Sequence, residues 1–220
     1  QMSRLSAETV RFLAELRDNN NRDWFARHRD RYEQVLKHPS ETFAATMAEE
    51  LSAWRGVTHD YRIFRIHRDV RFSKDKTPFN THLHISFSAG GGCKDGAPAW
   101  MFGLDPDGVT LGVGIFAFSH AQLDRWRTLC AGPAGARLAS TLAALAQDGI
   151  RLSDPELKRV PAPYPADHPR GADLRRKGLT AWIDSPDPSL AFGIEGPANC
   201  VRRLAKLHDL FGILVDLSNG

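Results

Sequence analysis

Six basic side chains, Arg62, Arg65, Arg68, Arg71, Lys74 and Lys76, fall within the eighteen residues RIFRIHRDVRFSKDKTPF, against two acids, Asp69 and Asp75. The stretch carries a local charge of +4 in a chain whose formal net charge is +3, so the positive excess is confined to it. Guanidinium groups take phosphate or carboxylate through paired N–H donors, and an ammonium binds as a point charge. Arg65, Arg68, Arg71, Lys74 and Lys76 are therefore the candidate ligands for an anion. His67 and Asp69 lie among them, and His84 follows a few residues later. An imidazole titrates near neutral pH, so His67, Asp69 and His84 are the candidates for proton transfer. The alternative for Arg68, Asp69 and Arg71 is an internal ion-pair network that supports the fold.

His67, His82 and His84, with Asp69 as a carboxylate, have the residue types of a transition-metal site. His-x-His spacing is common by chance, and a hydrogen-bonded polar face fits it as well. No metal site and no cofactor is assigned. In the turn SKDKTPF, Ser73, Asp75 and Thr77 can cap backbone amides and Pro78 stiffens the exit, leaving Lys74 and Lys76 to point to solvent or to a ligand. The turn has too few glycines for a phosphate loop. A Gly-x-Ser-x-Gly elbow and a Gly-x-Gly-x-x-Gly turn after a strand are both missing from the sequence. Phe64, Phe72 and Phe79 interleave with the basic residues, as in single-strand nucleic-acid binders. The alternation, however, assigns Phe64 and Phe72 to a buried face.

These residues need a scaffold. The chain has 220 residues, 42% hydrophobic and 25% charged, the balance of an ordinary globular domain. The three cysteines, Cys93, Cys130 and Cys200, are widely spaced and odd in number, which argues against a zinc site or a disulfide framework. Reduced thiols, no apolar leader core in QMSRLSAETVRF and no stretch of membrane-spanning length make the cytoplasm the expected location, with no membrane partner.

Ser6 is placed to cap a helix whose apolar residues are Val10, Phe12, Leu13 and Leu16. Asn19-Asn20-Asn21 ends it in a tight corner. Helical spacing then runs over residues 22–37, is broken at Pro39, and resumes over residues 40–54. From Phe64 to Phe72 the period becomes two. Phe64, Ile66, Val70 and Phe72 fall on one face, and Arg65, His67, Asp69 and Arg71 on the other. Strands are predicted over residues 82–88, 99–104 and 109–118, the last two joined by Asp105-Pro106-Asp107-Gly108. Gly112 and Gly114 leave one face of the last strand bare, as a pocket floor or as room for close packing. Ser119 caps a helix, a second helix spans residues 136–147, and the proline-rich basic segment 153–178 is expected to wrap the surface and contribute to a site. A short strand at 179–184 and a long helix over 197–216 complete the chain. The fold class that results is α+β, a mainly antiparallel sheet flanked by helices in a single domain.

Three blocks, NNNRDWFARHRDRYE (19–33), RIHRDVRFSKDKTPFNTH (65–82) and LKRVPAPYPADHP (157–169), resemble the bacterial and fungal domain-of-unknown-function family 2461. The resemblance implies a single α+β domain with a mainly antiparallel sheet flanked by helices, and no particular activity. It carries over to Asn20, Asn21, Arg22, Trp24 and Phe25, and to Arg65, Arg68, Asp69 and the run Arg71–Pro78. Phe79 stands where the family has tyrosine, Asn80 where it has lysine, and Ala162-Pro163 replaces Lys-Gly, so this member is less basic there.

The functional expectation is a basic strand and turn that bind an anion, in an enzyme acting on a small phosphate- or carboxylate-bearing ligand. The alternative is a non-catalytic module for nucleic acid or an acidic protein.

Overall fold

The computed structural model describes residues 3–90 and 96–219. Cys93 and most of the glycine-rich segment around it lie outside the described residues. Helix α1 spans Ala7–Asp18, α2 spans Arg22–Arg27 and α3 spans Arg29–Tyr32. A wide turn, Glu33–Lys37, leads straight into α4, His38–Arg55. The strands β1 (His59–Ile63), β2 (Leu83–Ala89), β3 (Ala99–Asp105) and β4 (Gly108–Ile115) follow. Then come α5 (His120–Ala131), α6 (Gly135–Gln147), β5 (Arg151–Leu152), α7 (Gly171–Leu174) and β6 (Leu179–Ser185), and last α8 (Gly196–Leu204) and α9 (His208–Asn219). The strands form one open antiparallel sheet in the order β1-β2-β3-β4-β6-β5, so the α+β class and the meander hold.

The caps explain the helix starts. Ser6 Oγ accepts from the Glu8 N–H (3.2 Å) while the Ser6 N–H donates to Thr9 Oγ1 (3.1 Å). Ser119 and Gln122 make the same reciprocal pair at α5. Pro39 does not break the helical path, contrary to expectation. It has no N–H for the carbonyl of Val35, and the Thr9 hydroxyl donates to that carbonyl instead at 2.7 Å. The wide turn just before it carries the chain past the proline ring. The last helix is likewise two, α8 and α9, separated by a tight turn at Ala205–Leu207.

Two compact units divide the chain. The first comprises Gln1–Cys93, Met101–Leu111 and Asp184–Leu204. Within it α4 packs on β1 and β2 and against α8, and its core includes Phe12, Leu13, Phe43, Met47, Leu51, Phe87 and Phe102. The second comprises Lys94–Trp100, Gly112–Ile183 and Ala205–Gly220. There α5 packs against α6, α7 and α9, with Trp100 stacked on Phe211 at 4.3 Å and Trp126 fully buried. The bare face of β4 is filled: the Trp182 ring lies over Gly112, and the Leu179–Thr180 backbone runs against Gly114. In segment 153–178 the buried Arg176 ties the chain together, pairing with Asp173 (3.1 Å) and donating to the Ser153 carbonyl. No single helix among the described residues is long and apolar enough to cross a membrane; the bent pair α5–α6 reaches that length and composition only when the two are taken together.

Candidate functional site

The basic run is not a strand beyond Ile63, which corrects the two-faced reading of residues 64–72. Residues 64–82 make a loop closed by a single antiparallel bridge, His67 to Phe79. The main chain supports that bridge with Arg68 N–H to Pro78 O (2.8 Å) and Asn80 N–H to Ile66 O (2.7 Å). The alternating pattern therefore misplaces two rings. Phe72 is 94% exposed and Phe64 is 46% exposed, whereas Phe79, the third, is buried.

Side chains hold the loop shut. Arg68 reaches across it and donates to Thr77 O (2.8 Å), Thr77 Oγ1 (2.9 Å) and Asp75 O (3.3 Å), and it pairs with the Asp75 carboxylate at 3.4 Å. Asp75 Oδ1 accepts from the Thr77 N–H at 2.9 Å, the capping expected of this turn. Those bonds and the Arg68 charge hold the Asp75 carboxyl below its ordinary range. Lys76 Nζ donates to Val70 O at 2.7 Å. Asn80 Nδ2 donates to Arg65 O at 3.0 Å.

The α1–α2 corner grips the same loop. Asn20 bonds both sides of the Phe79 peptide, and Phe25 stacks on the Phe79 ring at 4.3 Å. His67 meets the edges of Phe79 (5.2 Å) and Phe25 (6.0 Å). Asn21 Oδ1 accepts from the Trp24 N–H (2.8 Å) and so starts α2, which sets Arg22 and Asp23 at the corner's rim.

Between corner and loop lies an open cleft of about 690 Å³. The corner contributes Asn20, Asn21, Arg22 and Asp23; the loop contributes His67, Arg68, Val70, Asp75, Lys76, Thr77 and Pro78. Of the sequence candidates, His67, Arg68 and Lys76 thus meet in one place. The two cations differ in what they can still bind. Arg68 is engaged within the loop, but Lys76 has one hydrogen bond and an ammonium has three donors.

The other candidates sit elsewhere. Asp69 and Arg71 face each other in a two-bond fork, Nε to Oδ1 at 2.9 Å and a terminal nitrogen to Oδ2 at 2.7 Å. The fork holds the Asp69 carboxyl below its ordinary range, with a smaller contribution from Arg65. Arg65 and Lys74 are exposed. His84 lies on β2, stacked on His82 with ring centroids 3.6 Å apart. Burial, then the neighbouring His82, lowers its pKa to about 4, against the pull of Asp105. The three histidines do not form a metal site, and among the described residues no group of three or more His, Cys, Asp or Glu could hold one. Sequence reasoning missed the corner as a cleft wall. It read the asparagines as a turn, and only the fold brings that turn to Phe79.

The cleft is thus walled by two of the three blocks that carried the resemblance. Residues 8–211 match the family described as conserved hypothetical protein (DUF2461). The chain belongs to this family. No curated protein matches the chain. As a DUF2461 member it has the α+β fold that the resemblance implied.

Proposed function

We propose that the protein binds a small phosphate- or carboxylate-bearing molecule in the cleft between the α1–α2 corner and the 64–82 loop. The observation that carries this is the convergence of Arg22, His67 and Lys76 on one cleft, Arg22 lying 45 and 54 residues before the other two in sequence. A volume of about 690 Å³ suits a metabolite. Arg22 and Lys76 supply the charge for the anion. Arg68 acts behind them, fixing the carbonyls of Asp75 and Thr77 so that the loop is set before a ligand arrives. In an enzyme built on this site His67 is the one of the three proton-transfer candidates that lines the cleft, beside the carboxylates of Asp23 and Asp75.

A thermal-shift series with inorganic phosphate, pyrophosphate, mononucleotides and di- and tricarboxylates tests the reading. A ligand of this class should raise the melting temperature of the native protein and lose its effect in the Arg22→Ala/Lys76→Ala variant. Arg71→Ala, outside the cleft, should respond as the native protein does. No shift from any of these anions, or equal shifts in all three proteins, removes the proposal.

A further inference from the structure

Two exposed phenylalanines of the first unit, Phe64 and Phe72, lie outside the lining of the cleft, and each carries a guanidinium on its face. Arg62 Cζ lies 4.9 Å from the Phe64 ring centre, and Arg71 Cζ lies 5.7 Å from that of Phe72. The Phe64 N–H donates to the His84 carbonyl at 3.0 Å, extending the β1–β2 ladder by one residue. Residues opposite each other in an antiparallel pair share a face, as do residues two apart along a strand. Phe64, His84 and His82 therefore stand in a row on one side of the sheet, with Arg62 beside them. The β3 side of the row is closely packed: Gly103 abuts His84, and an added Cβ there would come 3.3 Å from the imidazole.

We infer that these exposed residues bind single-stranded nucleic acid, its bases stacking on Phe64 and Phe72 and its phosphates pairing with Arg62, Arg65, Arg71 and Lys74. Three observations favour that partner. Flat rings are left in water at a place where the fold does not need them, and every base offers a face to stack on. The cations are interleaved with the rings in sequence and lie over two of them in space, matching a polymer that alternates charge and ring. The loop that presents Phe72 is braced by Arg68 and Asn20, so its backbone is set before binding.

The experiment is fluorescence anisotropy with a labelled oligothymidylate of about 20 nucleotides, read from about 50 to 300 mM salt. Saturable binding is expected, with log affinity falling against log salt at a slope of roughly −3 for four phosphates neutralised. Phe72→Ala and Phe64→Ala should each weaken binding by about 5- to 150-fold, the range for removing one stacked base. Phe72→Tyr and Phe64→Tyr should keep binding, because they keep the ring. Circular dichroism melts check that each variant is folded, and Phe72, being almost wholly exposed, can be truncated without opening a cavity. The inference is overturned by any of three results. These are no saturable binding at low salt, binding that heparin abolishes and ring truncation leaves unchanged, and ring-dependent binding to anionic vesicles but not to the oligonucleotide.

Discussion

The Asn20 carboxamide closes a two-bond clamp on the Phe79 peptide: its Nδ2 donates to Phe79 O at 2.9 Å, and the Phe79 N–H donates to its Oδ1 at 3.1 Å. These groups are 59 residues apart in sequence, and the clamp joins the two walls of the cleft. An amide is the side chain that can give and take a hydrogen bond in this planar arrangement. Asn20→Asp keeps the acceptor, loses the donor and sets a carboxylate against a carbonyl oxygen. We expect Asn20→Asp and Asn20→Ala each to cost about 1–3 kcal/mol, the penalty for stranding a partly buried partner. Urea denaturation measures it, and an unchanged midpoint in both variants would show the clamp to be dispensable.

Arg68 is a staple for the loop, and its contribution should be local. Lysine at this position retains the charge but is one bond shorter and lacks the second terminal nitrogen, which in Arg68 reaches Ser73 Oγ at 3.4 Å while the first serves Thr77 O, Thr77 Oγ1 and Asp75 O. Arg68→Lys should therefore leave the melting temperature within a few degrees and raise amide exchange selectively at residues 69–77. By contrast the Asp69–Arg71 fork is solvent-exposed, and removing either partner should change neither stability nor loop exchange measurably at physiological salt. Hydrogen exchange read by mass spectrometry separates the two, and uniform exchange across the first unit in Arg68→Lys would contradict a local role.

Much of the scaffold could be read from the sequence because it is locally determined. Ser6 and Ser119 cap helices through their own neighbours, and the turn at Asp105–Gly108 sets up its hairpin through Asp105 Oδ1, which accepts from the Asp107 and Gly108 N–H groups. What could not be read depends on distant partners. The Thr9 hydroxyl that bonds Val35 O, and so accommodates Pro39, lies 26 residues from it. Phe64 to Phe72 alternates like a strand, but the loop's own hydrogen bonds and the Asn20 clamp hold residues 64–82 in a different shape. The basic residues of the site were visible as composition. Their division into cleft, fork and open surface was not, because Arg68, Arg71 and Lys76 differ in what they reach, not in what they are.

His84 should leave a mark on stability against pH. Its pKa is about 4 in the folded protein against an ordinary 6.5, so the folded state holds fewer protons between those values than the unfolded chain. The contribution is fully present above about pH 6.5, declines as the pH falls towards 4, and is flat below. The His84 ring is packed on His82 and Gly103, but the residue as a whole still meets solvent, and solvent screening keeps the effect at about 1 kcal/mol or less. Denaturation curves of native and His84→Gln protein should diverge only in this window, with the variant showing the shallower loss. Parallel curves from pH 7 to 4 would mean that His84 titrates normally.

Gly112 is predicted to be sterically required. A Cβ there would lie 2.4 Å from the Trp182 ring and 2.9 Å from the Ala181 carbonyl oxygen, so neither a ring shift alone nor a backbone shift alone makes room. Gly112→Ala should destabilise by about 1–3 kcal/mol, the range for overpacking a filled interior. Trp182→Leu in the same background should recover part of the loss by removing the ring. Chemical denaturation followed by circular dichroism reports both, and a neutral Gly112→Ala would mean that β4 and β6 can separate more easily than their packing indicates.

The thiols Cys130 and Cys200 are buried at 1% and 0% exposure, and burial pushes both up to about 12. A thiol in that state holds almost no thiolate at neutral pH and presents no surface to a reagent. With Cys93 replaced by serine, Ellman's reagent should titrate no thiol in the folded protein and two after denaturation. Any slow reaction should follow the opening of the structure, with a rate that rises with reagent while reclosing outpaces labelling and levels off at the opening rate when labelling outpaces reclosing. Rapid labelling of the folded Cys93→Ser protein would place at least one of these sulfurs at the surface.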